Sequence, residues 1–216
     1  MQTTEILLIR HGETDWNAER RLQGFRDIGL NDHGRQQAAA LAQALRDDVL
    51  DVVIASDLQR AWHTAQTLAT PRQLTVITDA SLRERCYGAF EGLRYDEIVD
   101  HFPVAHAAWM AREIDARFPP GAHPAETLRE FSARSVSSVI ALAQQHRGKK
   151  IAIVTHGGVL DCLYRAARGL GLDTARDFDI MNTGVNRFVW DGTALHVVQW
   201  GDVAHLSSET LDELRQ

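Results

Sequence analysis

Ile6-Leu7-Leu8-Ile9-Arg10-His11-Gly12-Glu13 is the stretch whose reading decides the fold. Four apolar residues that run straight into a polar turn read as a strand buried on both faces. Such a strand belongs in the middle of a parallel sheet, and open α/β sheets bind ligands beyond the carboxyl ends of their strands. The reading therefore expects Arg10 and His11 to be pushed out toward solvent at that end. A guanidinium stays charged and meets phosphate with a planar fork of donors. A neutral imidazole beside it can act as a nucleophile.

The pattern returns far down the chain. Ile151-Ala152-Ile153-Val154-Thr155 is followed at once by His156-Gly157-Gly158 and then by the helix-like Val159–Tyr164. Were the two strands parallel neighbours, about 4.8 Å apart, His11 and His156 would face each other across one anion. Gly157 and Gly158 permit close backbone approach, and the N–H groups of a helix N-terminus suit an anion.

Between these points the elements alternate as strand, helix, strand, helix, strand, a longer helical region, helix, strand, helix and two strands. That order implies an α/β fold of three layers, α/β/α, around a mostly parallel sheet. Ala38, Leu41, Ala42 and Leu45 carry helical spacing behind a cap at Asn31 or Asp32. Asp51–Ala55 and Leu74–Thr78 read as strands. Ser56 and Gln59 suggest a capping box for a helix running to Ala69, and Thr127 with Glu130 suggests another for a helix to about His146. Asp191-Gly192 reads as the turn of a hairpin between Val185–Trp190 and Leu195–Trp200. The tail 207–216 reads as a short helix. Residues 92–125 differ: Pro103, Pro119, Pro120 and Pro124 fall there with Tyr95, Phe102, Trp109 and Phe118. They read either as a small helical cap inserted in a single domain spanning 1–216, or as ordinary surface helices.

Bulk composition narrows the partners. At 216 residues, with 44% hydrophobic and 24% charged, the chain has the make-up of one globular domain with a cap. Its formal net charge of −6 argues against nucleic acid, which usually meets a basic face. A phosphate site must then be built locally from arginines. No apolar run approaches membrane-spanning length, so no membrane partner is expected. The two cysteines, Cys86 and Cys162, fit neither a metal cluster nor a secreted disulfide framework, and a reduced, cytoplasmic setting follows. Arg85 beside Cys86 could lower its pKa, but Cys86 is not read as a reactive thiol, and Cys162 reads as a small core residue. Exposed sheet edges are compatible with a homodimer.

Further residues gather at the same rim. Arg60 falls in the first turn after Ser56, where a helix dipole disfavours a cation. It is either a solvated surface arginine or part of an anion site. Asn17 either donates to a phosphate oxygen or stabilises its turn. Phosphoryl transfer needs an acid for the departing alkoxide. Glu84 is the first choice, with Glu91 and Glu13 as rivals and a surface ion pair as its plain alternative. A carboxyl near bound phosphate is expected to have a raised pKa.

These residues together resemble the histidine phosphatase superfamily, the phosphoglycerate mutase-like proteins. The resemblance is carried by Arg10-His11-Gly12-Glu13-Thr14 with Trp16-Asn17, and by Gln23-Gly24, Leu30, Gly34 and Gln37-Ala38. It continues through Ser56–Ala61 with Thr64-Ala65, Leu82-Arg83-Glu84, Tyr87-Gly88, Glu91-Gly92, His156-Gly157-Gly158 and Asn182–Asn186. It implies a transient phosphohistidine on His11. Arg10, Arg60, His156, Asn17, Gln23, Gly24 and the Gly157 N–H would bind the phosphoryl group. Glu84 would protonate the leaving group and then activate water. It implies no metal, because arginines supply the positive charge, and no cofactor. The substrate would be a small phosphorylated metabolite.

The family divides between phosphatases and mutases. The Glu91-Gly92 ending resembles the phosphatase branch. Cofactor-dependent mutases share an Arg-Arg-Ser segment after a tryptophan, whereas here Trp109 is followed by Met110-Ala111-Arg112. A mutase requiring a 2,3-bisphosphoglycerate primer is the alternative, and a non-catalytic phospho-ligand-binding module a further one. Where phosphatase-like members carry Gly-Glu-Ser before the long helix, this chain has Ala125-Glu126-Thr127. Arg112 and Arg117 are candidates for selecting the substrate.

Overall fold

The alternation within one strand sets up two cores. In β1 (Thr4–Arg10), Ile6 and Leu8 point to one face and Leu7 and Ile9 to the other, all buried. A strand covered on both sides has no polar face, which is why its sequence is a continuous apolar run. The computed structural model describes residues 2–206; the tail 207–216, read above as a helix, lies outside them.

Among the described residues six strands form one sheet in the order β3-β2-β4-β1-β5-β6. β2 is Val52–Ala55, β3 Val76–Thr78 and β4 Lys150–Thr155. They run parallel with β1. β5 (Val185–Trp190) and β6 (Leu195–Asp202) close one edge as the expected antiparallel hairpin. On one face pack α2 (Asp32–Ala44) and α3 (Gln59–Ala69), following the short α1 (Asp15–Ala18). On the other pack α6 (Leu128–Gln145) and α7 (Gly157–Arg168). This is the three-layer α/β/α arrangement that the order of elements implied.

Residues 92–125 contain α4 (Tyr95–His101) and α5 (Pro103–Met110). A third apolar cluster forms around them: Leu22, Phe90, Ile98, Phe118 and Ala125, with Tyr87, Tyr95, Phe102 and Trp109 packed alongside. Its rings meet closely, Phe90 stacking on Phe118 at 4.5 Å. The aromatic richness of this stretch is thus spent on a small core of its own beside the sheet.

One capping expectation fails. Thr127 and Glu130 cap α6 reciprocally, but α3 begins after Leu58 with no side-chain cap from its own flank. The Ser56 hydroxyl accepts from Leu58 N–H at 3.4 Å instead. The cap is supplied from a distance: the Asp27 carboxylate accepts from Gln59 N–H at 2.7 Å and from its side-chain amide at 3.1 Å. A carboxylate at a helix N-terminus satisfies the same orphan donors and adds favourable charge, so the tertiary contact displaces the local one.

Candidate active site

β1 and β4 are hydrogen-bonded neighbours in parallel register, with Arg10 opposite Thr155. The next residue on each strand is a histidine. The ladder extends one step further, His11 N–H donating to Thr155 O at 2.9 Å, and the two imidazole centroids stand 5.2 Å apart.

The end of β1 is pinned from several sides. Gly12 N–H donates to Thr64 Oγ1 at 3.0 Å, and that hydroxyl donates to Arg60 O. Asn182 Nδ2 donates to His11 O at 2.9 Å. Thr64 and Asn182 were visible in the sequence only as members of a motif; their positioning contacts span 52 and 171 residues, and no local pattern announces them.

Arg10 and His11 are not pushed into solvent. They are 2% and 3% exposed, because the loop after α1, the segment around Glu84 and the start of α7 close over the strand end. Arg10 donates to Ile180 O at 2.7 Å. Arg60 is likewise buried rather than a surface residue. It donates to His156 Nδ1 at 3.2 Å, Arg26 O at 2.7 Å and Gly24 O at 2.8 Å. Burial lowers its pKa to about 10, with the Glu84 charge opposing, which leaves it a cation at neutral pH.

These contacts assign the imidazole tautomers. His11 Nδ1 lies 2.7 Å from Gly12 O, so Nδ1 carries the proton and Nε2 keeps its lone pair. His156 Nδ1 accepts from Arg60, so its proton sits on Nε2, a buried donor with no partner among the described residues. Both imidazoles are held well below their ordinary value, first by burial and then by Arg60. For His11 desolvation is the larger cause, and the charges of Arg60 and Arg10 add to it.

Arg10, His11, Asn17, Gln23, Gly24, Arg60, Glu84 and Gly157 line one small recess, with Arg21, Leu22, Tyr87 and Tyr95. Thr14 is the N-cap of α1 and Asn17 completes its capping box, the Asn17 amide oxygen accepting from Thr14 N–H and Oγ1. Gly24 has φ +52, a conformation that favours glycine, and a side chain there would collide with Glu91.

Among the described residues Glu84 makes no surface ion pair. Its Oε2 accepts from Gly158 N–H at 2.9 Å and its Oε1 from Arg85 N–H at 2.8 Å. Burial raises its pKa, against those two hydrogen bonds and the nearby arginines. With a side chain at 158 the Glu84 carboxyl would have to move, since a Cβ there would lie 2.2 Å from Glu84 Oε1. The rival carboxylates are engaged elsewhere. Glu91 accepts from Phe25 and Tyr87 N–H groups, and Glu13 from the Asn31 amide.

A second cavity of about 260 Å³ adjoins the recess and shares Tyr87 and Gly157 with it. Trp109, Phe118, Phe131, Arg85 and Arg112 line it. Arg112 is tied to Leu172 O and to Asp161. Arg117 lies elsewhere, bonded to Ala125 O and Glu130. Arg85 does not activate Cys86. Its guanidinium lies over the Phe118 ring at 4.5 Å, and burial pushes the Cys86 thiol up to about 11. Cys162 is buried in the core, its thiol also pushed up by burial. Among the described residues no cluster of three or more His, Cys, Asp or Glu side chains is placed to hold a metal, and no helix is long and apolar enough to cross a membrane.

Residues 6–203 match the model of the histidine phosphatase superfamily, branch 1. Phosphoglycerate mutase-like protein 4 of Arabidopsis thaliana is 42% identical over 206 residues, covering 94% of this chain and 86% of that protein. The metal-independent phosphoserine phosphatase of the same plant is 35% identical over 210 residues, covering 96% and 85%. Among solved structures, Bacillus stearothermophilus YhfR superposes with a TM-score of 0.86 at 35% identity, covering 94% of this chain and all of the other.

Proposed function

This chain belongs to the histidine phosphatase superfamily, and we propose that it works as a phosphatase of small phosphorylated metabolites with His11 as its nucleophile. The observation that carries this reading is the pair of facing imidazoles, 5.2 Å apart, set between two buried arginines.

The His11 Nε2 lone pair attacks phosphorus while the P–O bond to the leaving group breaks. Arg10, Arg60, the His156 Nε2–H and the Gly157 N–H stabilise charge on the transferring oxygens, with Asn17, Gln23 and Gly24 shaping the recess. Protonated Glu84 gives its proton to the departing alkoxide. Glu84, now a carboxylate, takes a proton from water as the water oxygen attacks the phosphohistidine. The P–Nε2 bond breaks, its electron pair returns to His11 and inorganic phosphate leaves, so that His11 and Glu84 are back in their starting states. The fixed guanidinium charge takes the role that a divalent cation has in other phosphoryl transfers. The metal-independent relative supports a reaction without a metal.

The leaving group would occupy the adjoining cavity beneath the aromatic cluster of residues 92–125, which acts as a cap. Arg85 makes one side-chain hydrogen bond, to Glu126 O, and its Nη2 is buried without a partner among the described residues. A desolvated cation lacking a carboxylate favours an anionic substituent on the ligand. A phosphorylated hydroxy or amino acid fits, in keeping with the phosphoserine phosphatase among the relatives.

Phosphorus NMR with O-phosphoserine, phosphoethanolamine and 3-phosphoglycerate tests the reading. Inorganic phosphate without an isomerised ester, and a preference for carboxylated substrates that Arg85→Gln abolishes, is the expected result. Formation of 2-phosphoglycerate, faster with 2,3-bisphosphoglycerate, would make the protein a mutase instead.

A further inference from the structure

Arg134, on the second turn of α6, lines neither the recess nor the adjoining cavity. Its guanidinium is nevertheless devoted to the chain around Glu84. Nη1 donates to Ser81 O at 2.7 Å and to Arg83 O at 3.0 Å, and Nη2 donates to Glu84 O at 3.1 Å. The other edge of the fork meets Glu126, Nε to Oε1 at 2.8 Å and Nη2 to Oε2 at 2.7 Å. Glu126 carries the restraint onward. Its Oε2 accepts from Cys86 N–H at 2.9 Å, and its own N–H donates to Cys86 O at 2.9 Å.

The backbone is thus fastened on both sides of Glu84, at 81–84 by Arg134 and at 86 by Glu126. That segment has no regular ladder of its own: after the 3-10 turn Ala80–Leu82 it runs as irregular chain to Gly88. Irregular backbone must find its hydrogen bonds elsewhere, and a planar, permanently charged fork can take three carbonyls and a carboxylate at once. The same helix face sets the floor beneath the acid. The Arg134 guanidinium lies 5.2 Å from the Phe131 ring, and Phe131 stands against Gly158, whose N–H holds the Glu84 carboxylate.

We propose that Arg134 and Glu126 are positioning residues for the general acid: together they hold the Glu84 backbone so that its carboxyl meets the leaving-group oxygen. This rests on the reading of Glu84 as that acid. A displaced acid costs most when the leaving group is a poor one, because a good leaving group departs without a proton. Simple weakening of the fold has no such preference.

The test compares wild type with Arg134→Gln, Arg134→Lys, Glu126→Gln and Glu84→Gln on p-nitrophenyl phosphate, phenyl phosphate and an alkyl phosphate, with thermal unfolding alongside. Glu126→Gln keeps the shape of its side chain and serves if Arg134→Gln folds poorly. The expected result is a steeper leaving-group dependence. The alkyl ester should lose roughly 10²-fold in kcat/KM, which reports the transfer to His11 alone, the scale of an ångström-sized misplacement, while kcat/KM for p-nitrophenyl phosphate changes little. In a Glu84→Gln background the second substitution should add almost nothing, as for residues acting as one unit. Arg134→Lys should fall between, since it keeps the charge but loses the fork. Parallel losses on all esters, with Glu84→Gln alone steepening the dependence, would overturn the positioning role and leave the acid in place. A flat dependence in Glu84→Gln itself would remove the acid assignment and the inference with it.

Discussion

The imidazole of His11 stands 5.2 Å from that of His156 at an interplanar angle of 61°, each ring one residue beyond the end of a neighbouring parallel strand. The two histidines are 145 positions apart in the chain, yet the pairing of β1 with β4 makes them neighbours. The backbone around them completes a division of labour. Gly12 O fixes the His11 proton on Nδ1, and Arg60 fixes that of His156 on Nε2. In the proposed mechanism one ring is left to attack and the other to donate.

Replacing His11 should therefore abolish turnover rather than weaken binding. His11→Asn is expected to lower kcat by roughly 10⁴-fold or more, the scale seen when a covalent nucleophile is removed. Because His11 is buried, melting temperature must be measured alongside. Near-normal hydrolysis in a folded variant would remove His11 from the mechanism.

The buried imidazoles also make stability depend on pH. Both are held well below 6.5 in the folded protein, burial being the main cause. As pH falls below 6.5 the unfolded chain binds protons there that the native state does not, so stability falls with pH, by up to about 1.4 kcal/mol per pH unit for each such histidine. Urea unfolding at pH 7 and pH 5 should show a smaller difference for His156→Asn than for wild type. The raised carboxyl of Glu84 acts in the opposite sense, destabilising as pH rises past its ordinary value. An unchanged pH dependence in His156→Asn would mean that this ring is protonated in the native state.

Activity should carry the signature of the acid. Burial lifts the Glu84 carboxyl above its ordinary 4.5, and in the proposed mechanism hydrolysis of a poor leaving group needs it protonated. The kcat/KM for an alkyl phosphate should fall as pH rises through that raised value. Glu84→Gln should erase this limb and cost roughly 10²–10⁴-fold. A limb that survives in Glu84→Gln would move the acid role to another group.

Gly158 offers a steric probe of the same contact. Alanine is favoured over glycine inside a helix by up to about 1 kcal/mol, but here its Cβ would lie 2.2 Å from Glu84 Oε1 and 3.0 Å from Phe131. Relief of that contact swings the Glu84 carboxyl off the start of α7, so Gly158→Ala should slow poor leaving groups by roughly 10²-fold. Full activity on alkyl phosphates would show that Glu84 need not sit against the start of α7.

Much of this arrangement was legible because it is local. The apolar runs of β1 and β4 state their burial directly, and the histidine that follows each fixes which end of the sheet matters. What was not legible depends on closure in space. Nothing near Arg10 says that residues around 17–24, 84 and 157 fold back over it and turn an exposed rim into a buried recess. Ser56 and Gln59 spell a capping box, yet Asp27, 32 positions before Gln59, takes the cap. Why Arg85 leaves the neighbouring Cys86 unactivated is also spatial: its guanidinium turns toward Phe118 and the thiol is desolvated. Arg134 looks like any charged residue on a long helix until its three carbonyl partners, 50 to 53 positions away, are in place.

The most direct measurement is a rapid acid-free quench of enzyme with isotopically labelled O-phosphoserine, followed by peptide mapping by mass spectrometry. The mechanism predicts a transient phosphoryl group, stable to base and labile to acid, on the peptide that contains His11, absent from His11→Asn and, with p-nitrophenyl phosphate as donor, accumulating when Glu84→Gln impairs attack by water. Turnover with no phosphopeptide at any quench time, or with the label on another residue, would contradict the assignment of His11 as the nucleophile.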